Sequence, residues 1–211
     1  MLEGVTWFGH ASFRVEIAGR VIYFDPWKIR HPTPADLILI SHSHFDHFSP
    51  EEIRGLCKDS TEIAGPPDCL PKFKGIVQRR QSTIRAVIPG QTFTVEEMKI
   101  EVFPAYNLNK PFHPKNMRWA GFVVTVGGQR VYHAGDTDFV KEIRLVQCDL
   151  AFVPVSGTYV MTAEEAADFC NLVKPNVAVP MHWGDIVGTR ADAERFQALH
   201  NGRTEILDKA L

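Results

Sequence analysis

Apolar and polar positions change their spacing several times along the 211 residues, and each change predicts an element. The opening stretch VTWFGHASFRVEI is rich in β-branched and aromatic residues, the signature of strands. Ala18-Gly19-Arg20 then turns the chain into VIYFD, which predicts a hairpin ending at Pro26. DLILI, residues 36–40, is a short unbroken apolar run, as in a strand buried on both faces. SPEEIRGLC predicts a helix, with Ser49 at the N-cap, Pro50 at the first position, and Glu51 and Glu52 at the positive end of the dipole. TEIAGP reads as a strand, PDCLPKFKG as a short helix or turn, and residues 82–107 as several strands.

The second half repeats this order. WAGFVVTV, Gly127-Gly128 and QRVYHAGD form a hairpin pattern. DFVKEIRLV fits a helix and DLAFVPV a buried strand. TAEEAADFCNLV predicts a helix capped by Thr162, with Glu165 closing a capping box. NVAVPMHWG gives a strand and loop, ADAERFQALH a last helix and TEIL a last strand. Each half thus runs from meandering strands into alternating strands and helices. The expectation is an α/β chain forming one domain over residues 1–211, with two mixed sheets packed together and helices outside.

Composition fits this picture. Hydrophobic residues are 45% and charged residues 23%, ordinary for a protein with a substantial core. A formal net charge of −2 gives no electrostatic case for nucleic acid or a membrane surface as the partner. A small-molecule substrate is the expected partner, and self-association stays open. Cys57, Cys69, Cys148 and Cys170 have no CxxC spacing and read as unpaired thiols of a reducing compartment. MLEGVTWFGHASF lacks a basic segment followed by an apolar one, so the expected location is the cytoplasm.

The candidate chemistry concentrates in SHSHFDHF, residues 41–48, directly after the apolar run. Imidazole and carboxylate are ligands for zinc and its neighbours. On an extended segment residues two apart point the same way, about 7 Å apart. His42 and His44 can therefore aim at one point, and Asp46 and His47 at a second. Three later segments also end an apolar run in potential ligands. RVYHAGDTD offers His133, Asp136 and Asp138; VAVPMHWG offers His182; VFPAYNLNKPFH offers Asn107 and His113.

SHSHFDH matches the HxHxDH motif of the metallo-β-lactamase superfamily, and the resemblance extends in order over nearly the whole chain. YFDPW resembles the strand-ending aspartate motif, with Asp25 in that place; HAGDTD resembles the bridging-aspartate motif and PMHWG the closing histidine motif. With GHASF, the set is most similar to the small single-domain branch of zinc-dependent hydrolases that includes ascorbate-phosphate lactonase-like proteins. The resemblance implies a four-layer αββα sandwich with its site along one edge. It implies one metal ion held by His42, His44 and a third histidine, a second held by Asp46, His47 and His182, and Asp136 bridging them. Zinc is the expected metal, with manganese, iron and nickel compatible with the same donors.

Where many relatives carry the third histidine, this chain has PAYN, placing Asn107 there. A neutral amide oxygen is a poor zinc ligand. His113 looping back is the preferred completion; weak or water-mediated binding by Asn107, or a partly empty first site, are the alternatives.

The implied reaction is attack by a metal-bound hydroxide on a small ester, lactone or phosphodiester, with Asp46 orienting the nucleophile or taking a proton. Tyr159 is a candidate donor to the oxyanion. The alternatives are a nuclease, which charge and length argue against, and a non-catalytic metal-binding protein. His10 and His133 read as buried structural histidines or supports of ligands. Asp25 is expected to bond a ligand histidine or a loop amide, Trp183 to line the pocket, and His31 and His200 to lie on the surface. The basic stretch 72–85 reads as a solvated face, or else as an anchor for an anionic substrate.

Overall fold

The structure, a computed structural model, describes residues 2–73 and 83–210. Two six-stranded sheets carry it. The first holds its strands in chain order: β1 (Val5–Gly9), β2 (Ser12–Ile17), β3 (Arg20–Phe24), β4 (Ala35–Leu39), β5 (Cys57–Gly65) and β6 (Thr83–Ala86). The second runs from β7 (Thr92–Val95) through β8 (Met98–Pro104), β9 (Ala120–Val126), β10 (Gln129–His133) and β11 (Leu150–Pro154) to β12 (Val177–Met181). In each sheet an antiparallel meander gives way to parallel neighbours, after β3 in the first and after β10 in the second. The hairpin turns at Ala18-Gly19 and Gly127-Gly128 have positive φ at both central residues, the conformation that suits the twist of the strands.

Every residue of β4 is buried, which explains its unbroken apolar run. Alternation assigns its two faces. Leu37 and Leu39 join Phe13, Phe24, Phe122 and Phe152 between the sheets, while Ile38 and Ile40 pack with Ile53 and Leu56 of α1 (Pro50–Leu56) and Phe73 of α2 (Leu70–Phe73). The rings of Phe13 and Phe152 stack across the interface at 3.9 Å. On the second sheet, Phe169 of α3 (Ala163–Val173) and Phe196 of α4 (Arg190–Leu199) cover the outer face. The expected four-layer αββα order is therefore observed.

Three local expectations change. Ser49 occupies the α1 N-cap but its side chain makes no capping bond, whereas the Thr162–Glu165 box forms. Residues 138–146 hold only a 3₁₀ turn, Lys141–Leu145. Their buried residues Val140, Ile143 and Val146 recur every three positions, the period of that tighter helix. Residues 204–207 make one bridge, Ala178 to Thr204, because the chain then turns Ile206 and Leu207 against the core.

Among the described residues no helix is long and apolar enough to cross a membrane. Cys69, Cys148 and Cys170 are free thiols; burial pushes Cys69 and Cys170 far up and Cys148 up to about 12. Since the thiolate is the reactive form, iodoacetamide at pH 8 is expected to leave Cys69 and Cys170 unmodified until the chain unfolds. Mass spectrometry showing either one labelled in the folded protein would contradict this.

Candidate metal centre

The candidate ligands gather in loops beyond the C-terminal ends of strands, the edge where α/β sheets present their sites. His10, Asp25 and His182 each directly follow a strand, β1, β3 and β12, and each has positive φ (51°, 45° and 62°). Such conformations are unfavourable for residues with a Cβ and persist where the surroundings enforce them. Here the His182 amide donates to the His10 carbonyl at 2.9 Å, tying the first sheet to the second.

Two groups of side chains converge. His42, His44 and His113 bring ring nitrogens within 4.8 Å of one another; His10, Asp46, His47 and His182 form a second group by the same measure. Asp136 lies between them. Its Oδ2 is 3.1 Å from His182 Nε2, 3.2 Å from His113 Nε2 and 3.9 Å from His42 Nε2, and its Oδ1 is 3.4 Å from His47 Nε2.

The outer nitrogens of four rings are already engaged. His47 Nδ1 is 2.7 Å from Asp25 Oδ2, which also accepts the Ser41 hydroxyl, while Asp25 Oδ1 takes the Ser41 amide. The Ser41 oxygen in turn meets His42 Nδ1 at 2.9 Å. His182 Nδ1 meets Ser156 Oγ at 3.0 Å. His113 Nδ1 meets both Asn107 Oδ1 and the Tyr159 carbonyl. Where Nδ1 donates in these contacts, Nε2 is left to present a lone pair to the centre, the arrangement that fixes metal-ligating histidines.

His113, not Asn107, thus stands beside His42 and His44. Asn107 turns its amide away, donating to Asp138 Oδ1 and the Tyr159 carbonyl. Its Oδ1 accepts the His113 amide, and its own amide donates to the His113 carbonyl. Asp138 takes further bonds from the Leu108 amide and Lys110 Nζ, clamping the loop 107–113 at its base.

Electrostatics follow from burial and crowding. Burial holds His42 well below the ordinary histidine value, and burial with His113 lowers His44. His10 falls to about 4, through burial and the neighbouring His182, against the raising effect of Asp46. Burial alone would raise Asp136, but His182 and His47 outweigh it and keep the carboxylate ionised. Asp46 is likewise held at about 2, where burial is overcome by the His10 hydrogen bond and by His47. For His47 burial is outweighed by Asp136 and Asp25, and its pKa rises.

The other expectations divide. Asp25 does bond both a histidine and a loop amide. His133 is core: its ring lies parallel to Phe24 at 5.1 Å and its Nε2 meets the Ala11 carbonyl. His31 is exposed, but His200 is buried, stacked on Phe196 and bonded to Thr204 Oγ1, because the chain after α4 folds back over it. Trp183 does not line the pocket; it packs against Trp7 at 4.8 Å in the core. Most of the basic stretch, residues 74–82, lies outside the described residues. At its margins Lys72 donates to the Ser43 carbonyl and Arg85 to Glu62.

His10 is closer to the centre than its sequence context suggested, with Nε2 2.9 Å from Asp46 Oδ2 and its ring 3.9 Å from that of His182. Ser41, Ser156 and Trp119 escaped sequence reasoning altogether. The Trp119 ring packs within 5.4 Å of the rings of His42, His44 and His113, and no local pattern announces that contact.

Gly135 sets the approach of Asp136. Its φ is 63°, and a Cβ there would lie 2.7 Å from the Ala120 carbonyl oxygen and 3.0 Å from Ser41 Cβ. Gly135→Ala is therefore expected to lower stability by more than the roughly 1 kcal/mol of the strained φ alone and to weaken metal retention. Thermal melting and metal analysis measure both; an unchanged variant would refute the assignment.

Two mixed sheets with outer helices, and histidines and aspartates collected at one edge, define the metallo-β-lactamase fold. The family described as the beta-lactamase superfamily domain matches residues 4–182, and the chain belongs to it. A Caldivirga maquilingensis protein named UPF0173 metal-dependent hydrolase is 30% identical over 205 residues, covering 92% of this chain and 87% of its own, which places the chain in that UPF0173 family. A crystal structure of a Parabacteroides distasonis protein matches with TM-score 0.83 and 31% identity over 96% of this chain and 91% of its own. Igni18, described as a novel metallo hydrolase from Ignicoccus hospitalis, shares the fold at TM-score 0.77 and 22% identity, covering 98% and 95%.

Proposed function

We propose that this protein is a metal-dependent hydrolase whose centre holds two divalent cations, zinc foremost, with an ester, lactone or phosphodiester as substrate. One observation carries the reading. His47 Nε2, His113 Nε2 and Asp136 Oδ1 are buried without a hydrogen-bond partner and face one another across the centre. Unpaired buried polar atoms are costly, and a cation in their midst satisfies all three.

His42, His44 and His113 would hold one ion, Asp46, His47 and His182 the other, and Asp136 would touch both. Bound divalent cations supply acidified water and a Lewis acid for a carbonyl or phosphoryl oxygen. The remaining steps fall to the chain. Asp46, held by His10 and half-open to the pocket, orients the attacking water and accepts its proton. The Tyr159 side chain lines the same pocket, where its hydroxyl can donate to a developing oxyanion. The alternative of a non-catalytic metal binder drew its support from Asn107, and the position of His113 removes that support.

The test is metal analysis of the purified protein, with hydrolysis of p-nitrophenyl acetate, simple lactones and bis(p-nitrophenyl) phosphate before and after chelation. Activity lost on chelation and restored by zinc, manganese, iron or nickel is expected. A metal-free protein, or activity indifferent to chelator, would defeat the proposal.

A further inference from the structure

The walls of the pocket over the metal centre are of a different character from its floor. The cavity holds about 280 Å³, near the lower end of the ~300–1,000 Å³ typical of small-molecule sites. Its floor is His44, Asp46, His113, Asp136 and His182; its walls are Phe45, Phe112, Tyr159 and Ile186. No lysine or arginine lines it among the described residues.

Those walls are unusually open to solvent. Phe45 is 72% exposed, Phe112 44% and Ile186 42%. Only six large apolar side chains are so exposed among the described residues, and these three line this one pocket. A fourth, Leu108 at 57%, sits on the loop that carries Phe112. They come from three loops distant in sequence, after β4, β8 and β12, so a single local accident does not account for them. Phe112 meets Tyr159 edge to face at 4.6 Å, and Phe45 meets Trp27 at 6.3 Å, so the two phenyl rings are steadied by aromatic neighbours. Three basic side chains on the neighbouring loops are engaged elsewhere: Lys110 with Asp138, Lys72 with the Ser43 carbonyl and Lys28 with Asp185.

We infer that the substrate is a neutral ester or lactone bearing an apolar acyl or aryl arm, which packs against Phe45, Phe112 and Ile186 while its carbonyl lies over the metal-ligand floor. This rests on the hydrolase reading above and narrows its substrate class. A phosphodiester sets the anionic oxygens it does not place over the floor against hydrocarbon, with no cationic side chain to meet them among the described residues that line the pocket. Each methylene of an apolar arm that leaves water favours binding about fourfold, enough to make chain length the main determinant of selectivity.

The test uses the metal-loaded protein and two independent readouts. The first is kcat/KM for p-nitrophenyl esters from acetate to octanoate, with ethyl p-nitrophenyl phosphate as the anionic counterpart carrying the same leaving group. A rise of roughly tenfold or more from acetate to octanoate is expected. Phe45→Ser and Phe112→Ser, both at exposed positions, are expected to lower the octanoate-to-acetate ratio roughly tenfold while metal content stays normal. The second readout is binding of unreactive methyl ketones of increasing chain length, followed by tryptophan fluorescence. Tightening with chain length, lost in the two variants, supports the inference without any turnover. If no ester is hydrolysed but the ketone trend holds, the hydrolase reading fails and the apolar site stands. No chain-length trend in either readout, or faster turnover of the phosphate than of any ester, overturns the inference.

Discussion

Asp136→Asn is expected to strip this protein of its metal and its turnover together. Asp136 is 3% exposed; its Oδ1 reaches His47 and its Oδ2 reaches both His182 and His113, so it meets both histidine groups. Among the described residues no other carboxylate stands between the two histidine groups. An asparagine fits the space but brings a neutral oxygen and an NH₂ that faces ring nitrogens already presenting lone pairs. Both proposed cation sites would lose the anionic ligand they share. Since one oxyanion-stabilising donor is already worth about 10²–10³ in rate, loss of kcat/KM on the order of 10³ or more is expected. Metal analysis by mass spectrometry, alongside the kinetics, decides it. A variant that keeps the wild-type metal stoichiometry would show that Asp136 does not bridge.

Asn107→Ala is expected to weaken metal binding or activity about 10- to 100-fold without touching a metal. The amide holds His113 by two bonds, one to the ring and one to the backbone, and anchors itself on Asp138 and the Tyr159 carbonyl. Without it His113 Nδ1 keeps only the Tyr159 carbonyl, and the loop 107–113 is closed by the backbone bond between residues 107 and 113 alone. Asn107→Asp should fare worse in stability, because it sets a second carboxylate against buried Asp138. His113→Ala provides the comparison. If Asn107→Ala binds metal like the wild type while His113→Ala does not, the asparagine holds nothing that matters.

These two residues also mark how far the candidate site was legible in the sequence. Asp136 was legible because HAGDTD lies just beyond an apolar run, where a ligand belongs. The cluster His42, His44, Asp46 and His47 was legible for the same reason, its spacing within one short loop carrying its own geometry. The third histidine was ambiguous. Six residues separate Asn107 from His113, and whether that loop folds back depends on Asp138, Lys110 and Tyr159, which lie elsewhere in the chain. His200 was misplaced because a polar residue ending an amphipathic helix reads as exposed unless the following chain is known to cover it. Residues 138–146 read as a full helix because apolar spacing of three does not separate one 3₁₀ turn from an α-helix.

The sequence by itself determined the layers and the candidate ligands. Strand runs, hairpin glycines and helix caps are short-range features, and the apolar face of each element follows from its period. Only the tertiary structure decided how those ligands are held. Asp25 behind His47 and Ser156 behind His182 join loops 22 and 26 positions apart, while Ser41 behind His42 and Asn107 behind His113 are contacts within one loop. Hydrogen bonds of that kind depend on how the loops fold over the strand ends, and periodicity along the chain carries no record of it. The apolar walls of Phe45, Phe112 and Ile186 belong to the same category, three unremarkable residues until the fold brings their loops around one opening.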